Sequence, residues 1–136
     1  MNAWLHVIHI LGVIAWIGGV VSVGLVGALA AGEGKVLAAA RAVSLRVATP
    51  GLVLAWLGGL TMFIMHIDVY KRAGWMHAKI TLALIAAALT GVLSGKLRKA
   101  AAGQDVASST LRNLAMGTLF IAVLNVVLAF LGSQWF

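Results

Sequence analysis

Four histidines stand at the boundaries of long apolar runs, and they are the residues of this chain best able to do chemistry. His6 and His9 lie in the first apolar run, His66 ends the second, and His77 begins the third. Imidazole nitrogen binds haem iron, copper and zinc, and the chain has no cysteine that could supply a thiolate. Any metal or haem site in this sequence therefore depends on histidine, methionine or oxygen ligands.

Composition indicates that the elements carrying these histidines lie in lipid. The chain is 62% hydrophobic over 136 residues, whereas about half of the residues of a soluble domain are apolar. Four apolar segments occupy residues 3–30, 43–67, 75–95 and 111–135, and each reaches the roughly 20 residues that cross a bilayer as a helix. Because the connections are short and no period-two alternation is present, we predict an all-α fold, a four-transmembrane-helix antiparallel bundle forming one integral membrane domain over residues 1–136.

The basic residues predict how this bundle is oriented. Seven of the ten lysines and arginines flank the first and third connections: Lys35, Arg41, Arg46, Lys96, Arg98, Lys99 and Arg112. The other side holds Lys71, Arg72 and Lys79. By the positive-inside rule, we expect a multi-pass protein of a bacterial inner (cytoplasmic) membrane with both termini outside. The net charge of +7 is explained in the same way, and we expect no nucleic-acid partner.

This orientation brings all four histidines into the outer leaflet. Helices 1 and 3 would start on the outer side and helix 2 would end there. His9 is about 8 Å deeper than Trp4 along a helix axis, and His77 is within one turn of Trp75. Since His6 and His9 are three residues apart, they share a helix face and are poorly placed to be the two axial ligands of one haem.

Such a layer of imidazoles favours a b-type haem. Two histidines on facing helices hold this cofactor in membrane bundles without any cysteine. His9 is the deeper of its pair, so we take it as the first ligand, with His77 as the preferred second ligand, His66 as its substitute and His6 as an interfacial neighbour. Lys79, one turn inside helix 3, would pair with a haem propionate or extend its amine to the interface.

Two other classes of function stay open. The first is a copper-handling membrane protein, in which thioethers and an imidazole of one boundary bind Cu(I): Met62, Met65, His66 and Met76. The second is a cofactor-free structural subunit whose small residues pack against other membrane protein subunits or against copies of the same chain. Gly58 and Gly59 are expected to serve such close packing in the middle of the membrane.

Three stretches resemble a known family of small membrane proteins. They are the run from His9 to Gly19 (HILGVIAWIGG), Pro50-Gly51 at the start of helix 2, and Trp75-Met76-His77-Ala78-Lys79 at the start of helix 3. Together they are similar to HemJ-type protoporphyrinogen oxidase and to CopD-like copper-resistance proteins, over residues 4–99. The resemblance implies that His9 is the histidine involved in haem binding and that Lys79 is the lysine of the helix 3 motif.

The chain also departs from that pattern at two places. A Pro-Arg pair of the HemJ-type proteins would fall at Gly24 and Leu25, and a later histidine of helix 3 would fall at Thr90. The resemblance therefore implies haem binding more directly than protoporphyrinogen oxidation. If the chain is an enzyme, we expect an oxidoreductase. A single haem near one surface would suit electron exchange with a quinol, a periplasmic electron carrier or a larger membrane complex.

The predicted orientation can be tested with a reporter that is active only in the cytoplasm. Fused after Phe136, it is expected to be inactive, because the positive-inside rule leaves that terminus outside. Reporter activity at this position would invert the orientation and move the histidines to the inner leaflet.

Overall fold

The computed structural model describes residues 3–30 and 32–135, and the side chains of residues 3–30 and 32–132. These residues form helices and their connections without any strand, which confirms the predicted all-α class. The α-helices of this part of the chain are α1 (Ala3–Leu29), α2 (Gly34–Val43), α3 (Thr49–Met65), α4 (Ile67–Tyr70), α5 (Gly74–Ala101) and α6 (Ser108–Trp135).

Four helical stretches are long and apolar enough to cross a bilayer: Ala3–Leu29, Gly34–Met65, Gly74–Ala101 and Ser108–Gly132. Their lengths, from 25 to 32 residues, exceed the roughly 20 residues that a membrane span requires. The prediction of four membrane-spanning helices is therefore confirmed.

The second of these stretches starts earlier than its hydropathy predicts. α2 continues into α3 through a π-helical segment, Ser44–Ala48, so that one helix runs from Gly34 to Met65. The amide of Thr49 donates to the Ser44 carbonyl five residues back, and the Thr49 hydroxyl donates to the same oxygen at 3.0 Å. Pro50 lacks an amide proton, and a widened turn immediately before it lets the helix continue without a break.

Two other boundaries also differ from the prediction. α5 continues past residue 95 to Ala101, because lysine, arginine and leucine favour the helix and Leu97 is fully buried. α5 is followed by Gly103, whose φ of +88° is a left-handed conformation that favours glycine after a helix. α3 ends at Met65, because His66 leaves the helical region with φ −121° and ψ 34°.

The antiparallel packing of α1 against α3 is unusually close. A Cβ atom built on Gly12 would lie 2.5 Å from the amide nitrogen of Ala55, and one on Gly51 would lie 2.5 Å from that of Trp16. Further along α1, a Cβ atom on Gly19 would lie 2.9 Å from the Ala48 methyl. Because small residues face each other along this seam, the two backbones come into direct contact.

The remaining contacts define the order of the helices. α6 packs against both α1 and α5, where Gly24 meets Ala115 and Gly132 meets the Trp75 ring. α2 packs against α5. The N-termini of α1 and α5 and the C-termini of α3 and α6 consequently share one end of the bundle, which we call the histidine end because it carries His6, His9, His66 and His77.

One buried hydrogen bond joins α1 to α5 inside the bundle. Trp16 is 5% exposed, and its indole nitrogen donates to the Thr90 hydroxyl at 2.8 Å. The same hydroxyl donates to the Ala86 carbonyl at 2.9 Å, so both polar groups are satisfied in the apolar interior.

The seam between α1 and α3 leads to a prediction about stability. We expect Gly12→Ala to lower the free energy of unfolding by about 1–3 kcal/mol, because its methyl group would meet the α3 backbone rather than a flexible side chain. Gly18→Ala is the matched control on the same helix, since a Cβ atom there meets nothing within 4 Å. Thermal unfolding in detergent measures both changes. Equal melting temperatures for the two variants would contradict the close seam.

Candidate functional site

His9 projects from α1 against α3, and a hydrogen bond holds its ring in place. Its Nδ1 lies 2.7 Å from the Ala55 carbonyl oxygen. Because a carbonyl oxygen only accepts hydrogen bonds, Nδ1 must carry the proton and donate it. The neutral ring then has its lone pair on Nε2. An imidazole in this state can bind a metal ion through Nε2 or accept a hydrogen bond there.

Two glycines of α3 make the space that His9 occupies. A Cβ atom on Gly58 would lie 3.2 Å from the Cα atom of His9, and one on Gly59 would lie 3.0 Å from Cε1 and 3.1 Å from Nδ1 of the ring. The adjacent glycines and the Ala55 carbonyl therefore form a cradle for His9. The sequence predicted close helix packing as the first role of these glycines, with room for a flat ligand between helices as the alternative. The sequence could have indicated this role, because two adjacent glycines of the second helix lie at about the depth of His9 on the antiparallel first helix.

Two other basic groups lie near the His9 ring. Lys79 on α5 and His6 on α1 are both within electrostatic range of this imidazole. Lys79 is partly buried, and it forms no ion pair with any carboxylate of the described residues, whereas the exposed Lys71 pairs with Asp68 at 3.1 Å. The structure thus brings Lys79 of α5 within electrostatic range of His9, whereas His6 and His9 already share one face of α1.

His77 and His66 lie at the same end of the bundle but are held differently. The exposed His77 donates from Nε2 to the Lys71 carbonyl at 2.8 Å, which leaves the lone pair on Nδ1. The half-buried His66 sits edge-on to the Tyr70 ring, with centroids 6.1 Å apart. Within residues 3–30 and 32–135, no three histidine, aspartate or glutamate side chains are grouped closely enough to hold a metal ion.

Aromatic rings cover the connection between α3 and α5. Tyr70 stacks on Phe63 with centroids 6.1 Å apart and meets Trp75 edge-to-face at 6.0 Å. Tyrosine and tryptophan are enriched where a membrane meets water. This group of rings therefore marks the depth of the histidine end.

The methionines predicted as copper ligands have different surroundings. Met62 and Met76 are buried, at 8% and 9% exposure, whereas Met65 is 53% exposed. His66 follows the last residue of that helix. Met62 and Met76 therefore fill space inside the bundle, as methionine commonly does.

The two departures from the family resemblance have structural roles. Gly24 is in contact with Ala115 of α6, and a longer side chain there would collide with that helix. Leu25 is on the surface of the bundle, at 37% exposure. Thr90 accepts the hydrogen bond from Trp16. Positions 24 and 90 thus serve helix packing in this chain.

Comparisons of the chain with protein family models, with curated proteins and with solved structures find no match. A functional assignment therefore has to depend on the geometry around His9. The central feature of that geometry is a half-buried imidazole that donates from Nδ1 to a backbone carbonyl and keeps a lone pair on Nε2.

Proposed function

We propose that this chain is a membrane protein that binds one b-type haem at its histidine end, with His9 as an axial ligand. The observation that carries the proposal is the hydrogen bond from Nδ1 of His9 to the Ala55 carbonyl, 2.7 Å long. Histidines that bind metals almost always donate their other ring N–H to a carbonyl or carboxylate, which sets the tautomer and the ring orientation. His9 has this arrangement, with the Ala55 carbonyl as the acceptor.

The surroundings of His9 suit an amphipathic ligand such as haem. Gly58 lies against the backbone and Cβ atom of His9 and Gly59 lies against its imidazole, so the ring cannot turn freely when a ligand binds. Lys79 supplies a positive charge that no described carboxylate neutralises, and it would bind a propionate group. Haem iron, when bound, supplies one-electron exchange between its ferric and ferrous forms.

The second axial ligand is proposed from the same end of the bundle. His77 is the first candidate, because it begins α5 at this end of the bundle and its Nδ1 lone pair is not used in the bond to Lys71. His66 is the substitute. His6 is exposed and is proposed as a neighbour that tunes the site rather than as a ligand.

The proposed role is electron transfer, either in this chain alone or as a redox subunit of a larger membrane complex. A haem near one surface can exchange electrons with a quinol or with a periplasmic electron carrier. If the chain is an enzyme, the proposed class is oxidoreductase. We propose the bacterial inner membrane as its location, with both termini outside, from the distribution of basic residues.

The experiment that tests haem binding is a reduced-minus-oxidised absorption spectrum of protein purified from haem-replete cells. The wild-type chain should show b-type haem bands. A colourless protein would contradict the proposal, and metal analysis would then separate copper binding from a cofactor-free structural subunit.

Substitution of the histidines tests the ligand assignment. His9→Ala should abolish the haem spectrum, because it removes Nε2, whereas His6→Ala should only weaken or shift it. The two changes lie three residues apart on α1, so His6→Ala is a matched control. Elution of each variant as a single species from size exclusion separates loss of ligand from loss of fold. Equal spectra for both variants would refute the assignment.

The glycine cradle leads to a second spectroscopic prediction. Gly59→Ala should shift the haem bands or lower occupancy, because the new methyl group would lie about 3 Å from the His9 ring and turn it. Gly91→Ala is the control, since a Cβ atom there meets nothing within 4 Å. If neither variant changed the haem bands or the occupancy, the cradle would have no role in holding a ligand.

A further inference from the structure

Two cavities lie at the end of the bundle opposite the histidine end. The first has a volume of about 300 Å³ and the second about 390 Å³, and both are lined by Arg41 of α2 and Arg98 of α5. Arg46 of the π-helical segment lines the second cavity as well. We call this region the arginine end.

The first cavity continues from the arginines into the apolar part of the bundle. Its walls are Thr49 and Leu52 on one side and the stretch of α5 from Ala87 to Arg98 on the other. The eleven helical steps from Ala87 to Arg98 correspond to about 16 Å along the axis. The surface of the cavity is therefore mainly apolar, with the arginines at one end and the hydroxyl groups of Thr49, Thr90 and Ser94 along it.

Arg41 has an unmet hydrogen-bonding group in this region. Its Nε atom is buried and has no hydrogen-bond partner among the described residues. A buried N–H without a partner costs free energy, and one on a charged guanidinium costs more. Neither cavity is lined by an aspartate or a glutamate of the described chain. Glu33 and Asp105 lie in the connections at this same end, but both are exposed and neither forms an ion pair with these arginines, so the guanidinium groups have no carboxylate partner among the described residues.

We propose that the arginine end binds the phosphate of an anionic membrane phospholipid, with one acyl chain lying along the first cavity. A guanidinium matches phosphate oxygens with paired N–H donors, so Arg41 and Arg98 would bind the headgroup from two helices. Arg98 stands three residues before the end of α5, which is where a headgroup meets the end of a membrane span. A free phosphate ion also carries negative charge, but it has no apolar group to fill the rest of the first cavity.

Thermal unfolding of the full chain in an uncharged detergent tests this proposal. The probes are phosphatidylglycerol, diacylglycerol with the same acyl chains, and inorganic phosphate. Phosphatidylglycerol should raise the melting temperature of the wild-type chain, and diacylglycerol and inorganic phosphate should raise it much less.

Three variants locate the effect. In Arg98→Gln and Arg41→Gln, the lipid concentration for half-maximal stabilisation should rise about tenfold, as expected when one charge-assisted hydrogen bond is lost. Arg112→Gln is the matched control, because it makes the same change of charge near the same end and Arg112 lines neither cavity. Arg98 is exposed, so its variant keeps the test valid if Arg41→Gln does not fold.

Each alternative outcome would overturn the proposal. Equal stabilisation by inorganic phosphate would identify a free anion site, and equal stabilisation by diacylglycerol would identify acyl packing alone. An equal loss in Arg112→Gln would indicate diffuse attraction by surface charge, and no stabilisation by phosphatidylglycerol would exclude the site. None of these results depends on haem.

Discussion

The direct contact between the backbones of α1 and α3 is the constraint on which the rest of the structure depends. Gly12 and Gly51 bring the helices so close that an added methyl group would meet backbone atoms of the other helix. This approach carries the Ala55 carbonyl to within 2.7 Å of His9 Nδ1 and seats the ring against Gly59. In lipid, apolar side chains provide little driving force for helix association, so close packing and cross-helix hydrogen bonds become decisive.

The bundle separates its polar chemistry into two ends. The histidine end combines a neutral imidazole with a basic side chain that no described carboxylate pairs, which suits a ligand with a metal and acidic groups. The arginine end combines guanidinium groups with an apolar cavity. Between the two ends, the Trp16 indole donates a hydrogen bond to the Thr90 hydroxyl, which itself donates to the Ala86 carbonyl. Polar groups in a membrane protein are costly unless they are paired, and Lys79 and Arg41, which lack a carboxylate partner among the described residues, are two of the groups for which ligands are proposed.

Much of the fold could be predicted because hydropathy and helix length are set by the bilayer. The four spans followed from apolar runs of sufficient length. The predicted helix ends differ from the observed ones where local interactions, rather than hydropathy, determine where a helix begins or ends. Basic residues from Lys96 to Lys99 ended the predicted helix but remain helical in α5, and the second span, predicted from residue 43, belongs to a helix that begins at Gly34. Hydropathy describes the solvent around a residue, and the hydrogen bonds of the backbone determine where a helix ends.

For the candidate site, the sequence by itself determined the residue types, the depth of each histidine and the shared end of the bundle, since these follow from spacing along antiparallel helices. Only the tertiary structure decided which histidine is oriented by a neighbouring helix. The partner of His9 is a backbone carbonyl 46 positions away in the chain, and its space is made by the absence of side chains at Gly58 and Gly59. A carbonyl and a missing Cβ atom carry no chemical signature in a sequence until the register of two helices is known.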